Sequence, residues 1–149
     1  MSDAQLPDLN VRVYYEDTDA GGVVYYANYL RFAERARSEA IRFAMGRTDG
    51  LWREGDPLFV ARHVEADYIA SAKLDDYLTV SVDLVHVGGA SFKMKQIIKR
   101  GDTILNKLQV TLVTVTQDGK VLRLPAEWRE NLSRYLNKGA SSQHGTSDR

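Results

Sequence analysis

The chain has no cysteine among its 149 residues, which excludes disulfides, thiolate nucleophiles and thiolate metal sites together and leaves nothing that calls for an oxidising compartment. It has no surplus charge either. Twenty Lys and Arg balance twenty Asp and Glu, which argues against a long electrostatic footprint for nucleic acid. No stretch approaches the roughly 20 apolar residues of a membrane span, and the opening MSDAQLPDLN lacks the basic and apolar runs of a secretory signal. A cytoplasmic protein without a membrane span is expected. The three histidines, His63, His86 and His144, stand too far apart for ligand spacing on one element, so no metal site is expected. What the chain does have is an ordinary globular mix, 44% hydrophobic and 27% charged, at a length that suits one domain with a sizeable core.

The patterning predicts that domain over residues 1–137, followed by a Ser-, Gly- and charge-rich tail, 138–149, expected to be disordered. After a polar arm through Pro7, the run Val11 to Tyr15 has strand propensity. The segment EDTDAGGVVYYAN, rich in turn formers, reads as a loop feeding a helix. From Tyr29 to Met45, Tyr29, Ala33, Ala36, Ala40 and Phe43 or Ala44 recur at steps of three and four, with Leu30, Phe32 and Ile41 widening the apolar face. Arg35 and Glu39 are spaced for an ion pair, and Gly46 is a natural stop.

Beyond a loop with Gly50, Gly55 and Pro57, four extended runs follow: Phe59 to Tyr68, Tyr77 to Val87, Ala90 to Arg100 and Thr103 to Thr116. Gly88-Gly89, Gly101-Asp102 and Asp118-Gly119 fit hairpin turns, the last leading to Val121 to Leu124, so a meander is predicted. Ala126 to Asn137 is expected to form a short helix. The sum is an α+β domain in which one antiparallel sheet of five or six strands covers a long central helix. Such a sheet leaves edges that dimerisation would hide.

The stretch RVYYEDTDAGGVVYYANY places acids just upstream of a glycine pair and a helix start. Asp19 lies beside Gly21 and Gly22, which let a ligand approach the backbone, and the helix's first turn offers unpaired N–H groups at its positive end. An attack on an acyl carbonyl needs both: a base or nucleophile on one side, donors aimed at the oxygen on the other. The plainer account is that Asp17 and Asp19 are turn and capping residues, as most Asp residues before helices are.

These 18 residues closely resemble the active-site signature of the 4-hydroxybenzoyl-CoA thioesterase family, and VRVYYEDTDAGGVVY is similar in particular to the acyl-CoA thioesterases associated with the Tol-Pal envelope system. The similarity continues through YLRFAERARS and, more weakly, Leu74-Asp75-Asp76 and the later strands. The resemblance implies a hotdog fold and hydrolysis of an acyl-CoA or acyl carrier protein thioester, with coenzyme A as part of the substrate and no metal or redox cofactor. By position in the motif, Asp19 matches the catalytic carboxylate, Asp17 a structural acid, and the backbone N–H of Tyr26 the donor that polarises the carbonyl. Gly22, Val23, Val24, Tyr25 and Tyr29 are expected around the substrate. Tol-Pal-associated members typically carry His where this chain has Tyr26, while the wider signature accepts an aromatic residue. The resemblance also implies homodimers or homotetramers with sites near subunit interfaces.

Other signals carry less. Ser91 lacks the Gly-x-Ser-x-Gly elbow of a serine hydrolase, and Gly21-Gly22 lacks the spacing and Lys of a phosphate loop. Lys93, Lys95, Lys99 and Arg100 read as a solvated face or, less simply, a patch for the coenzyme's phosphates. Arg31, Arg35, Arg37 and Arg42 suit surface pairing or contact with a second subunit. The alternative to an enzyme is a non-catalytic acyl-binding or envelope-associated interaction protein on the same fold. A hydratase is disfavoured because no His accompanies an acid in the motif.

Overall fold

The long helix α1 spans Tyr26–Met45 and buries Tyr29, Phe32, Ala33, Ala36, Ala40, Ile41 and Ala44 along one face. In this computed structural model, which describes residues 4–47 and 53–137, that face packs on a six-stranded antiparallel sheet. The small side chains of Ala33, Ala36 and Ala40 let the sheet approach the helix closely, while Phe32, wholly buried, fills the space between. Gly46 ends the helix in the left-handed conformation, φ 66°, its N–H shared by the Arg42 and Phe43 carbonyls. The helix begins three residues before the expected Tyr29. Leu30 and Phe43 fall outside the buried face, and Glu39 meets Arg42 at 3.5 Å rather than Arg35, whose guanidinium lies over the Phe32 ring.

The strands are β1 (Leu9–Arg12), β2 (Leu58–Tyr68), β3 (Tyr77–Val80), β4 (Asp83–Val87), β5 (Ser91–Arg100) and β6 (Thr103–Val115). Their order across the sheet is β1-β3-β5-β6-β2, with β4 also paired to β5. Alternation does the work in β5: Phe92, Met94, Gln96 and Ile98 are buried while Lys93, Lys95 and Lys99 turn to the other, partly covered face.

The expected meander holds only from β3 to β6. β2 is not beside β3 but at the far edge against β6, because α1 intervenes between β1 and β2 and carries the chain across the sheet. The return segment 69–76 then passes the start of α1, where the Ile69 and Ala70 amides donate to the Leu105 carbonyl.

Three local expectations also change. The first strand runs Leu9–Arg12 rather than Val11 to Tyr15, and Tyr15–Asp17 is one turn of 3₁₀ helix. There the Tyr14 amide donates to the Asp17 carboxylate at 2.9 Å, a local bond that outweighs the strand propensity of Val-Tyr-Tyr. The second long run breaks into β3 and β4, since Ser81 Oγ accepts from the Ile97 amide at 3.1 Å and bends the strand. Among the described residues the run Val121 to Leu124 forms no strand but one bridge, Val115 to Val121, beyond the Asp118-Gly119 turn, with the Leu122 and Leu124 amides donating to the Thr114 and Gly89 carbonyls. The second helix, α2, is Ala126–Ser133 and stops short of Asn137. The expected tail, His144 and Gly50 lie outside the described residues.

α2 presses Trp128 against Phe59, ring centroids 5.3 Å apart, and the buried Arg47 guanidinium lies 4.9 Å above the indole. Arg47 also pairs with Asp56, and that hydrogen bond, with a second from the Arg53 amide, holds the Asp56 carboxyl below the usual carboxylate range. A lowered folded value stabilises the fold above the ordinary carboxylate pKa of about 3.9 and loses that contribution as pH falls through it. Asp56→Asn should therefore melt below the wild type at about pH 6, with the gap narrowing as the pH is taken below the ordinary carboxylate value. A gap that stays constant in melts across this range would show that the ionised pair does not contribute.

Candidate active site

The segment preceding α1 folds into a small hairpin. Its rungs are the Tyr25 amide to the Asp17 carbonyl at 3.0 Å, a bridge between Thr18 and Val24, and the Asp19 amide to the Val23 carbonyl at 2.9 Å. The turn closes with the Gly22 amide on the Asp19 carbonyl, and Gly22 takes φ 83°, a conformation that favours glycine. The far side of the hairpin is pinned to the return segment: Val24 N–H donates to the Ala72 carbonyl, and Leu74 N–H to the Gly22 carbonyl. Local turn chemistry and a long-range bracket together fix where Asp19 stands.

The two acids of Asp-Thr-Asp divide sharply. Asp17 is 5% exposed and fully engaged: Oδ2 accepts from Tyr14 N and Oδ1 from Asn28 Nδ2 at 2.8 Å. It ties the loop to the first turn of α1. Asp19 is exposed, and its Oδ1 accepts from Gly21 N at 2.9 Å, the turn bond that the plainer account anticipates. Its Oδ2 has no hydrogen bond or ion pair among the described residues. The carboxylate is thus steadied by one oxygen and open at the other.

The opening of α1 is uncapped. Tyr25 occupies the cap position without a side-chain bond, the first turn holds no acid, and among the described residues the Tyr26 and Ala27 amides have no acceptor. Those amides carry the helix's partial positive charge and suit a developing oxyanion. Two hairpin rungs of about 3.3 Å separate the level of Asp19 from that of Tyr25. A carboxylate and an oxyanion donor are therefore neighbours across one small turn.

An aromatic wall stands beside them. The Tyr26 ring, 60% exposed on its residue, lies 4.9 Å from Tyr25 and 6.0 Å from Tyr68 of β2; Tyr68 lies 5.9 Å from Tyr29. Tyr29 is buried, and its Oη accepts from the Ala72 amide, bracing the return segment from beneath. Burial raises the Tyr29 and Tyr68 phenols above their ordinary values, so both stay neutral donors or acceptors. At Asp76, burial alone would raise the carboxyl, but the Lys73 amide and the Arg100 guanidinium, 2.8 Å away, outweigh it and hold the group ionised and low. Arg100 thereby closes the return turn rather than standing free on a charged face.

Asp19, Gly22, Val23, Tyr25 and Tyr26 come together around the turn, whereas Val24 and Tyr29 are core residues that support it. Reading the sequence missed Asn28, Tyr68, Ala72 and Asp76. Asn28 carried a faint signal as a polar residue in the first turn of the helix; the other three reach the site through pairings that no local pattern encodes. Among the described residues no group of three or more His, Asp or Glu side chains is placed to hold a metal ion, and no helix is long and apolar enough to cross a membrane.

A long helix laid on one face of an antiparallel sheet, with an acid-bearing turn at its start, defines a hotdog-type domain. The profile of the thioesterase superfamily matches residues 21–107, and the chain belongs to that superfamily. It is 45% identical over 105 residues to the acyl-CoA thioesterase YbgC of Haemophilus influenzae, across 70% of this chain and 77% of that one. Among solved structures, a Bartonella henselae protein superposes with TM-score 0.72 at 37% identity, covering 82% of this chain and 100% of that one. A Thermus thermophilus thioesterase, solved with coenzyme A and zinc, gives 0.69 at 29% identity over 83% and 89%.

Proposed function

We propose that this protein hydrolyses acyl-CoA thioesters to free acid and coenzyme A, with Asp19 as nucleophile or general base and the Tyr26 backbone amide as oxyanion donor. The observation that carries the reading is the half-open Asp19 carboxylate held one hairpin away from helix amides that have no acceptor among the described residues. The kinship to an acyl-CoA thioesterase at 45% identity supports the substrate class. In the nucleophilic route Asp19 Oδ2 attacks the carbonyl carbon, charge collects on the carbonyl oxygen, and collapse expels the coenzyme A thiolate to leave a mixed anhydride that water opens. In the general-base route Asp19 takes a proton from water, which attacks the same carbon. Either way the oxyanion faces the opening turn of α1, where one well-aimed donor typically lowers the barrier by about 3 to 4 kcal/mol. Gly22, Val23 and Tyr25 flank the thioester, and Val24 and Tyr29 support that wall from the core.

The working unit is a homodimer, able to pair into a tetramer. β2 spans 11 residues at the sheet's edge, with one side unpaired among the described residues and Val60, Val64 and Tyr68 exposed along it. Tyr68 also belongs to the aromatic wall, so a second chain on this edge would complete the site. A solution mass equal to one chain, measured by light scattering, would contradict this assembly.

The test of the activity is a panel of short-chain, long-chain and aromatic acyl-CoAs, together with acyl carrier protein thioesters, with released thiol measured. Turnover of at least one is expected. Release of no thiol across the panel would overturn the hydrolase reading in favour of an acyl-binding protein.

A further inference from the structure

Two amide side chains lie wholly inside the core on the side of the sheet that faces α1, and only one is accounted for. Gln96 of β5 donates from Nε2 to the Ala33 carbonyl at 2.9 Å and accepts at Oε1 from Arg37 at 3.0 Å. Asn106 of β6 is equally buried, 0% exposed, yet among the described residues neither Nδ2 nor Oδ1 has a hydrogen-bond partner. A buried amide left dry is strongly disfavoured, and in folded proteins such a group has a water or a ligand to satisfy it.

Its surroundings point to the ligand. Asn106 shares the inward parity of Leu108 and Val110 on β6, and its register partners are Ile98 on β5 and Tyr68 on β2. Directly opposed residues on one face of an antiparallel pair bring their Cβ atoms to about 5 Å. The layer thus runs from Asn106 to Tyr68, and from the Tyr68 ring 6.0 Å on to that of Tyr26, at the turn whose amides also have no acceptor among the described residues. Tyr68 itself is only half covered, at 46% exposed. Two unsatisfied polar sets lie at either end of one aromatic side chain.

We propose that Asn106 is a specificity-determining residue of the acyl pocket, its amide hydrogen-bonding a hydroxyl or oxo substituent on the acyl chain. The inference rests on the placement of the thioester at the opening of α1. With the carbonyl there, the acyl chain runs past Tyr68 toward β6. An amide both donates and accepts, which matches a hydroxyl, itself donor and acceptor, better than a bare alkyl chain. A charged substituent is disfavoured, because the neighbouring phenols of Tyr29 and Tyr68 are neutral and Asn106 brings no compensating charge. A site built to hydrogen-bond a substrate group rejects the analogue that lacks it, since the site's own polar atoms are then stranded.

The test uses the full chain and non-hydrolysable coenzyme A thioethers in matched pairs: S-butyl with and without a hydroxyl at the third carbon, and S-hexyl with and without one at the third, fourth or fifth. The wild type should bind one hydroxylated ether at least about tenfold tighter than its plain partner. Asn106→Leu, which replaces the stranded amide by an apolar side chain of similar size, should melt no lower than the wild type and lose that preference. Equal binding of plain and hydroxylated ethers by the wild type would overturn the proposal, as would a preference that persists in Asn106→Leu. The wild-type comparison needs no variant and stands even if the substitution does not fold. A wild type that prefers the hydroxylated ether but releases no thiol from any thioester would defeat the hydrolase reading and leave this one. Hydrolysis of butyryl- and 3-hydroxybutyryl-CoA with no preference among the ethers would do the reverse, and binding of no ether would overturn this proposal while leaving the hydrolase reading to the thiol assay.

Discussion

Asp19→Asn should lower acyl-CoA hydrolysis by about a thousandfold or more while leaving the melting temperature within a degree or two. The asymmetry follows from the carboxylate's surroundings. Its single hydrogen bond among the described residues is from the Gly21 amide to Oδ1, and an Asn side chain offers a carbonyl oxygen for the same bond. The residue is exposed and forms no ion pair among the described residues, so little folding energy depends on its charge. What disappears is what the proposed reaction would draw from this residue, an anionic oxygen able to attack carbon or accept a proton. A variant within tenfold of the wild type would reject the role of Asp19 under either route. Tyr26→Phe is the companion measurement, since it removes the phenol and keeps the amide. It should change turnover by a few-fold at most, and a loss as deep as that of Asp19→Asn would show that the phenol itself takes part in the reaction.

The contrast between Asp19 and Asp17 also shows what sequence can and cannot disclose. The helix face was legible because Ala33, Ala36, Ala40 and Ala44 repeat with the helical period, and β5 because Phe92, Met94 and Ile98 alternate with lysines. Both patterns are local. The hairpin turns at Gly88-Gly89 and Gly101-Asp102 were legible for the same reason. The position of β2 was not, since its burial pattern is nearly featureless and its partner β6 lies some forty residues away in the chain. At the site, the motif marked Asp19 and the helix start, yet the plainer view of Asp19 as a turn residue is also correct for one of its two oxygens. Asn28, eleven residues from Asp17, and Asn106 are polar residues in apolar company whose meaning depends on partners, or the lack of one, that only three dimensions disclose.

Asp17→Ala should be the most damaging single change in the loop, for a reason unrelated to chemistry on the substrate. The substitution strips acceptors from two donors at once: the Tyr14 amide, part-buried, and Asn28 Nδ2, buried. Leaving both unsatisfied costs about 2 to 4 kcal/mol. For a domain of this size that corresponds to a melting temperature lower by roughly 5 to 12 °C. Because the Asp17 carbonyl also accepts from the Tyr25 amide, a shift of residue 17 moves the whole hairpin relative to the opening of α1. Assayed well below its melting point, Asp17→Ala should therefore lose more than tenfold in kcat/KM through misplacement of Asp19 against the Tyr26 amide. Asp17→Asn separates acceptor number from charge: its carbonyl can serve one donor, while its amide meets the other donor head-on, so it should fall between wild type and Asp17→Ala. Pairing Asp17→Ala with Asn28→Ala closes the argument. If the Asp17–Asn28 bond ties the loop to the helix, the two losses should add to less than their sum, since the second change removes a donor the first has already stranded. Strict additivity, or a melt of Asp17→Ala that matches the wild type, would show that the hairpin is held by its backbone rungs alone.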